Sequence, residues 1–274
     1  MATKIIIAKN IGFCSGVKRA IAIAEKALIE DKRPIQFLGR LVHNEKIIEK
    51  FIKAGVKFVK DPRDAKTGTL IIQAHGFPPF LNKNSRLIIR DATCTLVRMV
   101  QTAARSLYKK GYRVIIIGDR KHSETKGIKG YGGNKAIIVE NEKEARKLPE
   151  FKKIGVVAQT TQNLDNINRI LEILKSKAEK IKFINTLCPE VQNRQKELEQ
   201  IVKRADAILV IGSRLSANTR RLAEKVKSQG KRIIWVNSLE ELKKKNLKNI
   251  SLLGLVSGAS TPDWEIEKIK KHFN

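Results

Sequence analysis

The sequence predicts an α/β protein made of three similar α/β domains with mostly parallel sheets. Three observations predict it. Apolar runs of four to six β-favouring residues alternate with longer amphipathic stretches along the whole chain. Three of the clearest helical stretches each begin immediately after one of the three cysteines, Cys14, Cys94 and Cys188. Laid out from those cysteines, the three segments repeat the same order of elements.

The first clear strand is Lys4 to Ile7, a short β-branched run. After Cys14 the spacing predicts a helix over Ser15 to Glu30, where Val17, Ile21, Ala24 and Leu28 recur three and four apart. A strand ending near Leu38 leads to the polar His43. A further strand, Ile71 to Ala74, runs into His75-Gly76, and Leu87 to Arg90 closes the segment. The second segment repeats this from Cys94: a helix over Thr95 to Lys110, a strand over Arg113 to Ile117, His122, a strand over Val156 to Ala158 running into Gln159-Thr160-Thr161, and a closing strand over Ile181 to Ile184. The third has Cys188, a helix over Pro189 to Arg204, a strand over Ala207 to Ile211, Ser216, and a strand over Ser251 to Val256 running into Ser257-Gly258-Ala259-Ser260. From cysteine to first polar turn the offsets are 29, 28 and 28 residues. The third segment lacks a closing strand, and Lys4 to Ile7 stands before Cys14 in the equivalent place. The domains expected are therefore 14–94, 95–187, and 188–274 completed by the strand in 1–13.

In open α/β sheets ligands bind beyond the carboxyl ends of the strands, where helix N-termini present N–H groups to anions. His43, His75, His122, Ser216 and Ser260 all fall at such places. Three domains meeting at those edges would bring three thiols, three imidazoles and several hydroxyls and amides to one cleft.

Composition narrows the function. The net charge is +29, from 56 Lys and Arg against 27 Asp and Glu. The basic residues are interspersed with glutamates, and aromatic residues are only 5%, so nucleic acid is disfavoured and acidic ligands or an acidic partner are favoured. No apolar run approaches a membrane span and the first residues do not read as a signal peptide, which predicts a cytoplasmic location. Three widely spaced cysteines cannot pair completely, so catalysis or metal binding becomes a serious option.

Tetrahedral zinc sites usually show a close pair of cysteines, absent here, so zinc is disfavoured. A cubane iron-sulfur cluster accepts ligands far apart in sequence, and three cysteines leave one iron open to act as a Lewis acid. The histidines, with Ser216, Asn218 and Ser260, suit phosphate oxygens. Glu124, two residues after His122, could deliver a proton to a departing hydroxyl, or serve simply as a first-turn helix glutamate. Two other classes fit part of the pattern: a non-catalytic RNA-binding protein with buried thiols, and a zinc-dependent hydrolase.

The stretches Gly-Phe-Cys-Ser-Gly-Val at 12–17, Val-His-Asn at 42–44, Ala-His-Gly at 74–76, Asp-Ala-Thr-Cys at 91–94, His-Ser-Glu at 122–124, Gln-Thr-Thr at 159–161, Asn-Thr-Leu-Cys at 185–188, Asn-Arg-Gln at 193–195 and Gly-Ala-Ser-Thr-Pro-Asp at 258–263 occur in one order along nearly the whole chain. In that order the sequence resembles the 4-hydroxy-3-methylbut-2-enyl diphosphate reductase family. The resemblance implies a trefoil of three α/β domains around a central 4Fe-4S cluster held by Cys14, Cys94 and Cys188. It implies reduction of an allylic alcohol diphosphate to isopentenyl and dimethylallyl diphosphates, the last step of the non-mevalonate isoprenoid pathway. His43, His75, His122, Ser216, Asn218 and Ser260 would hold the diphosphate, and Thr160 would orient the substrate and the proton donor Glu124. Ferredoxin or flavodoxin would supply the electrons. Two positions depart from the family: Ser123 stands where Pro is common, and Ala217 where Ser is common, which removes one hydroxyl from the expected diphosphate contacts.

Overall fold

The computed structural model describes residues 3–80 and 84–273; the extreme ends of the expected third domain, 1–2 and 274, lie outside them. In chain order the elements are β1 (Lys4–Ile7), α1 (Ser15–Glu30), β2 (Ile35–Leu38), α2 (Glu45–Lys53), β3 (Lys57–Val59), β4 (Gly68–Ile72) and β5 (Leu87–Asp91). They continue with α3 (Thr95–Lys109), β6 (Arg113–Ile117), α4 (Ser123–Tyr131), β7 (Ile137–Val139), α5 (Glu142–Arg146), β8 (Phe151–Ala158), α6 (Leu164–Lys175) and β9 (Ala178–Phe183). The remainder are α7 (Pro189–Arg204), β10 (Ala207–Ile211), α8 (Ala217–Ser228), β11 (Arg232–Val236), α9 (Leu239–Lys243), β12 (Leu252–Ser257) and α10 (Asp263–Phe273).

These strands form three four-stranded sheets in the orders β3-β2-β4-β5, β7-β6-β8-β9 and β11-β10-β12-β1. Every pairing within them is parallel. The three orders are one topology used three times. The fourth place in the last sheet is taken by β1, which pairs with β12 in the register Lys4↔Leu252 to Ile7↔Leu255. The fold class read from the sequence is the one observed.

The chain separates into two compact units. One comprises Met1–Lys18, His43–Ile47 and Pro189–Asn274, and contains the sheet ending in β1. Its central strands β10 and β12 are buried on both faces. Leu209, Ile211, Leu253 and Leu255 pack with Ile266 and Ile269 of α10 on one side, while Ile208, Val210 and Val256 pack with Leu198, Val202, Leu222 and Val226 of α7 and α8 on the other. The other unit comprises Arg19–Val42 and Ile48–Cys188 and contains the other two sheets. There Ile115, Ile117, Ile154 and Val156 face α6, and Val114, Ile116 and Val157 face α3 and α4.

Burial on both faces is what parallel strands require, and it shifts the strand limits from those the sequence suggests. The strand expected over Ile71 to Ala74 is Gly68–Ile72, because Gln73 already opens a turn closed by the Gly76 amide on the Gln73 carbonyl at 3.0 Å. The strand expected to begin at Val156 reaches back to Phe151, where exposed Lys152 and Lys153 continue it. The closing strand expected over Ile181 to Ile184 is Ala178–Phe183. The strand expected from Ser251 begins at Leu252, and both their amides donate to the Asp206 carboxylate, at 3.0 and 2.8 Å.

Candidate functional site

The cysteines share one backbone environment. The amide of Cys14 donates to the Ala259 carbonyl, that of Cys94 to Ala74 and that of Cys188 to Thr160, each at 2.9 Å. Each acceptor is the second residue of a four-residue turn leaving a strand: Gln73 to Gly76 after β4, Gln159 to Gln162 after β8, and Gly258 to Thr261 after β12. The closing amide-to-carbonyl bonds of these turns are 3.0, 2.9 and 3.1 Å. All three cysteines are half-buried thiols placed directly before α1, α3 and α7. The Cys14 Sγ lies 3.4 Å from the Val17 amide, which donates to it. Soft thiol donors at three equivalent helix starts are the ligand chemistry that an iron-sulfur cluster uses.

A second turn repeats in the same way. The amides of Gly39, Gly118 and Gly212 donate to the carbonyls of Val59, Val139 and Val236, at 3.0, 3.0 and 2.9 Å. Four residues after these glycines stand His43, His122 and Ser216, and six residues after stand Glu45, Glu124 and Asn218. Gly118 permits a close approach: a Cβ there would sit 2.7 Å from both Gln159 and Thr125.

Within the larger unit, His122 caps α4, its Nδ1 accepting from the Glu124 amide at 3.2 Å. That bond leaves the other ring nitrogen to carry the proton of a neutral imidazole. Glu124 is only 1% exposed. Its Oε1 accepts from the Thr160 amide at 2.6 Å and its Oε2 from the Thr160 hydroxyl at 3.0 Å. Thr160 is the residue whose carbonyl accepts the Cys188 amide, so carboxyl and thiol are positioned by one turn. The His75 ring meets the His122 ring edge-on, with centroids 5.1 Å apart. Gln159 joins the two turns: its Oε1 accepts from the Asp119 amide at 2.9 Å and its Nε2 donates to the Thr161 hydroxyl at 3.0 Å.

Within the smaller unit, Ser216 caps α8, its Oγ accepting from the Thr219 amide at 3.3 Å. Asn218 is 3% exposed, and neither its Oδ1 nor its Nδ2 has a hydrogen-bond partner among the described residues. A buried amide left so costs stability. Ser260 is the third residue of its turn, and its hydroxyl donates to the His43 carbonyl at 3.2 Å. Ala217, where the family commonly has Ser, is buried at the first position of α8. Ser123, where Pro is common, has a buried hydroxyl without a partner among the described residues.

Sequence reading passed over three residues. Thr161 occupies the turn position of His75 and Ser260, and could have been found by aligning the turns residue by residue. Glu45 stands two residues after His43, as Glu124 does after His122. Arg194 lies in the quoted Asn-Arg-Gln stretch. It is 4% exposed and donates to the carbonyls of Asn10, Gly12 and Ser257, at 2.9, 2.8 and 3.3 Å, organising the loop that leads to Cys14.

Three parallel α/β sheets of one topology, each segment headed by a thiol and carrying polar turns at its strand ends, define an α/β protein with a repeated thiol-bearing edge. The chain belongs to the LytB protein family, which it matches over residues 5–274. It is 37% identical over 269 residues to a 4-hydroxy-3-methylbut-2-enyl diphosphate reductase of Pelobacter propionicus, covering 97% of this chain and 96% of that one. Against the protein of the same name from Dictyoglomus turgidum the identity is 39%, covering 97% and 94%. The structure of the E-1-hydroxy-2-methyl-but-2-enyl-4-diphosphate reductase from Plasmodium falciparum superposes with a TM-score of 0.93 at 33% identity, over 99% of this chain and 88% of that one. A second structure, of (E)-4-hydroxy-3-methyl-but-2-enyl diphosphate reductase, the terminal enzyme of the non-mevalonate pathway, gives 0.69 at 34% identity, over 98% of each. No helix among the described residues is long and apolar enough to cross a membrane.

Proposed function

We propose that this protein is an oxidoreductase that converts 4-hydroxy-3-methylbut-2-enyl diphosphate to isopentenyl and dimethylallyl diphosphates by reductive dehydroxylation, closing the non-mevalonate isoprenoid pathway. The observation that carries this reading is the near full-length likeness to reductases of that name, at 33 to 39% identity. The reaction consumes two electrons and two protons, breaks the allylic C–O bond and releases water.

Proteins of this family depend on iron and sulfur. The donor set fits: three half-buried thiols, Cys14, Cys94 and Cys188, each set by an equivalent amide bond. They would hold a 4Fe-4S cluster and leave one iron open. When bound, the cluster supplies electrons and Lewis acidity.

The chain's own groups do the rest. Glu124 delivers a proton to the departing hydroxyl, its carboxyl held in one orientation by the two donors of Thr160. Thr160 orients that hydroxyl as well. His43, His75, His122, Ser216, Asn218 and Ser260 bind the diphosphate through charge-assisted hydrogen bonds, with the unsatisfied amide of Asn218 finding its partners there. With Ala217 in place of Ser, the diphosphate is held by one hydroxyl fewer. The electron donor is a small acidic carrier, ferredoxin or flavodoxin, drawn to a chain of net charge +29.

The test is anaerobic turnover of the alcohol diphosphate with chemically reduced methyl viologen, with products identified by mass spectrometry. Formation of the two isomeric diphosphates supports the reading. An unconsumed substrate with fully reconstituted protein would refute it.

A further inference from the structure

The segment His43–Ile47 belongs to the smaller unit, whereas the residues on either side of it, Arg19–Val42 and Ile48–Cys188, belong to the larger one. It is therefore a strap, and consecutive residues fasten it. Ser260 donates to the His43 carbonyl at 3.2 Å. Glu45 Oε1 accepts from the Ser213 hydroxyl at 2.9 Å and its Oε2 from the Asn237 amide nitrogen at 3.2 Å. Lys46 pairs with Glu265 at 2.8 Å, and Glu265 is 1% exposed. Asn44, wholly buried, accepts from the amides of Lys46 and Ile47 at 3.0 and 3.3 Å, which fixes the start of α2. Ser213 in turn opens the turn that ends at Ser216, and its Oγ also accepts from the Leu215 amide at 3.0 Å.

From this network we propose that Glu45 is a positioning residue for anion binding: it ties the strap that carries His43 to the turn that carries Ser216 and Asn218, so that groups from two distant stretches of chain are presented together. The proposal rests on the diphosphate-binding reading above. Glu45 occupies the place that Glu124 holds in the next segment, and its two oxygens accept from side chains on two different turns, Ser213 and Asn237, so it is placed to hold those turns in register. A carboxylate accepting two hydrogen bonds is a firmer anchor than a neutral group. Holding binding groups in place acts on substrate affinity more than on the chemical step.

The test is steady-state kinetics of reconstituted wild type, Glu45→Ala, Glu45→Gln and Asn237→Ala, with the alcohol diphosphate and reduced methyl viologen, alongside inhibition by inorganic pyrophosphate. Glu45→Ala is expected to raise KM and the pyrophosphate Ki together, about tenfold, with kcat within about twofold. Glu45→Gln, whose amide oxygen still accepts from Ser213, recovers most of the affinity. Asn237→Ala, at a half-buried position that the fold tolerates more easily, raises both constants about threefold. Unchanged KM and Ki in both alanine variants overturn the proposal alone. Absence of turnover in the wild type overturns the reductase reading and this proposal with it.

Discussion

Glu124 and Thr160 are joined twice, the threonine amide and hydroxyl each donating to a different oxygen of the same buried carboxyl, at 2.6 and 3.0 Å. The pairing spans 36 residues of chain and brings the turn after β8 against the start of α4. It fixes the orientation of the carboxyl.

Replacing Glu124 with Gln keeps the volume and one acceptor oxygen while removing the proton. Turnover should fall by about 10² to 10⁴, the usual contribution of a general acid, with the visible spectrum of the cluster unaltered. Turnover within threefold of wild type would remove Glu124 from the role.

Thr160→Val keeps the shape and the amide bond but loses the hydroxyl. The expected effect is a fall in kcat of about tenfold, with Thr160→Ser close to wild type. Because the Thr160 carbonyl and not its side chain accepts the Cys188 amide, iron content should be the same in both variants. Equal activity of the Val and Ser forms would mean that the hydroxyl does not orient the carboxyl.

Gly258 leaves no room for a side chain: a Cβ there would lie 1.9 Å from the Thr219 hydroxyl. Gly258→Ala must push back the first turn of α8, which carries Asn218. Overpacking of this kind costs about 1–3 kcal/mol, and denaturant unfolding should show it together with a raised KM. Gly111→Ala meets nothing within 4 Å, so its cost comes from its φ of +76° alone and should leave KM untouched.

The Arg90 guanidinium beside Asp31, with its Nε 2.7 Å from Oδ2, holds that carboxyl below its usual value of 3.8. A depressed folded-state pKa contributes stability that is full above pH 3.8 and fades as pH falls through the folded value. Arg90→Met should therefore lower Tm at pH 7, and the gap from wild type should narrow in acid below pH 3.8. A gap independent of pH would assign the loss to packing.

Much of this was legible in the sequence where one pattern dominated. The helices after the three cysteines were readable because their buried stripe recurs three and four apart, and α1 and α7 have the limits expected. Strand limits were less so. In β4 all five residues are buried, so no alternation marks where the strand begins or ends. The strands β3 and β7 have three residues each, too few for periodicity to register. Glu124 could be singled out two residues after His122, but its pairing with Thr160 was reached only through the family resemblance, since spacing does not reveal the close approach of two turns that Gly118 permits. The unsatisfied amide of Asn218 and the carbonyls gathered by Arg194 emerge only from hydrogen-bond accounting between stretches far apart in the chain.

The most direct test of the central claim is iron and sulfide content with the visible spectrum after anaerobic purification and reconstitution, for wild type and for Cys14→Ser, Cys94→Ser and Cys188→Ser. The account predicts a brown wild type with about four irons and four sulfides per chain, perturbed by the alcohol diphosphate, and a lost or degraded cluster in every serine variant. A colourless wild type, or a variant that keeps the full spectrum and iron count, would contradict it.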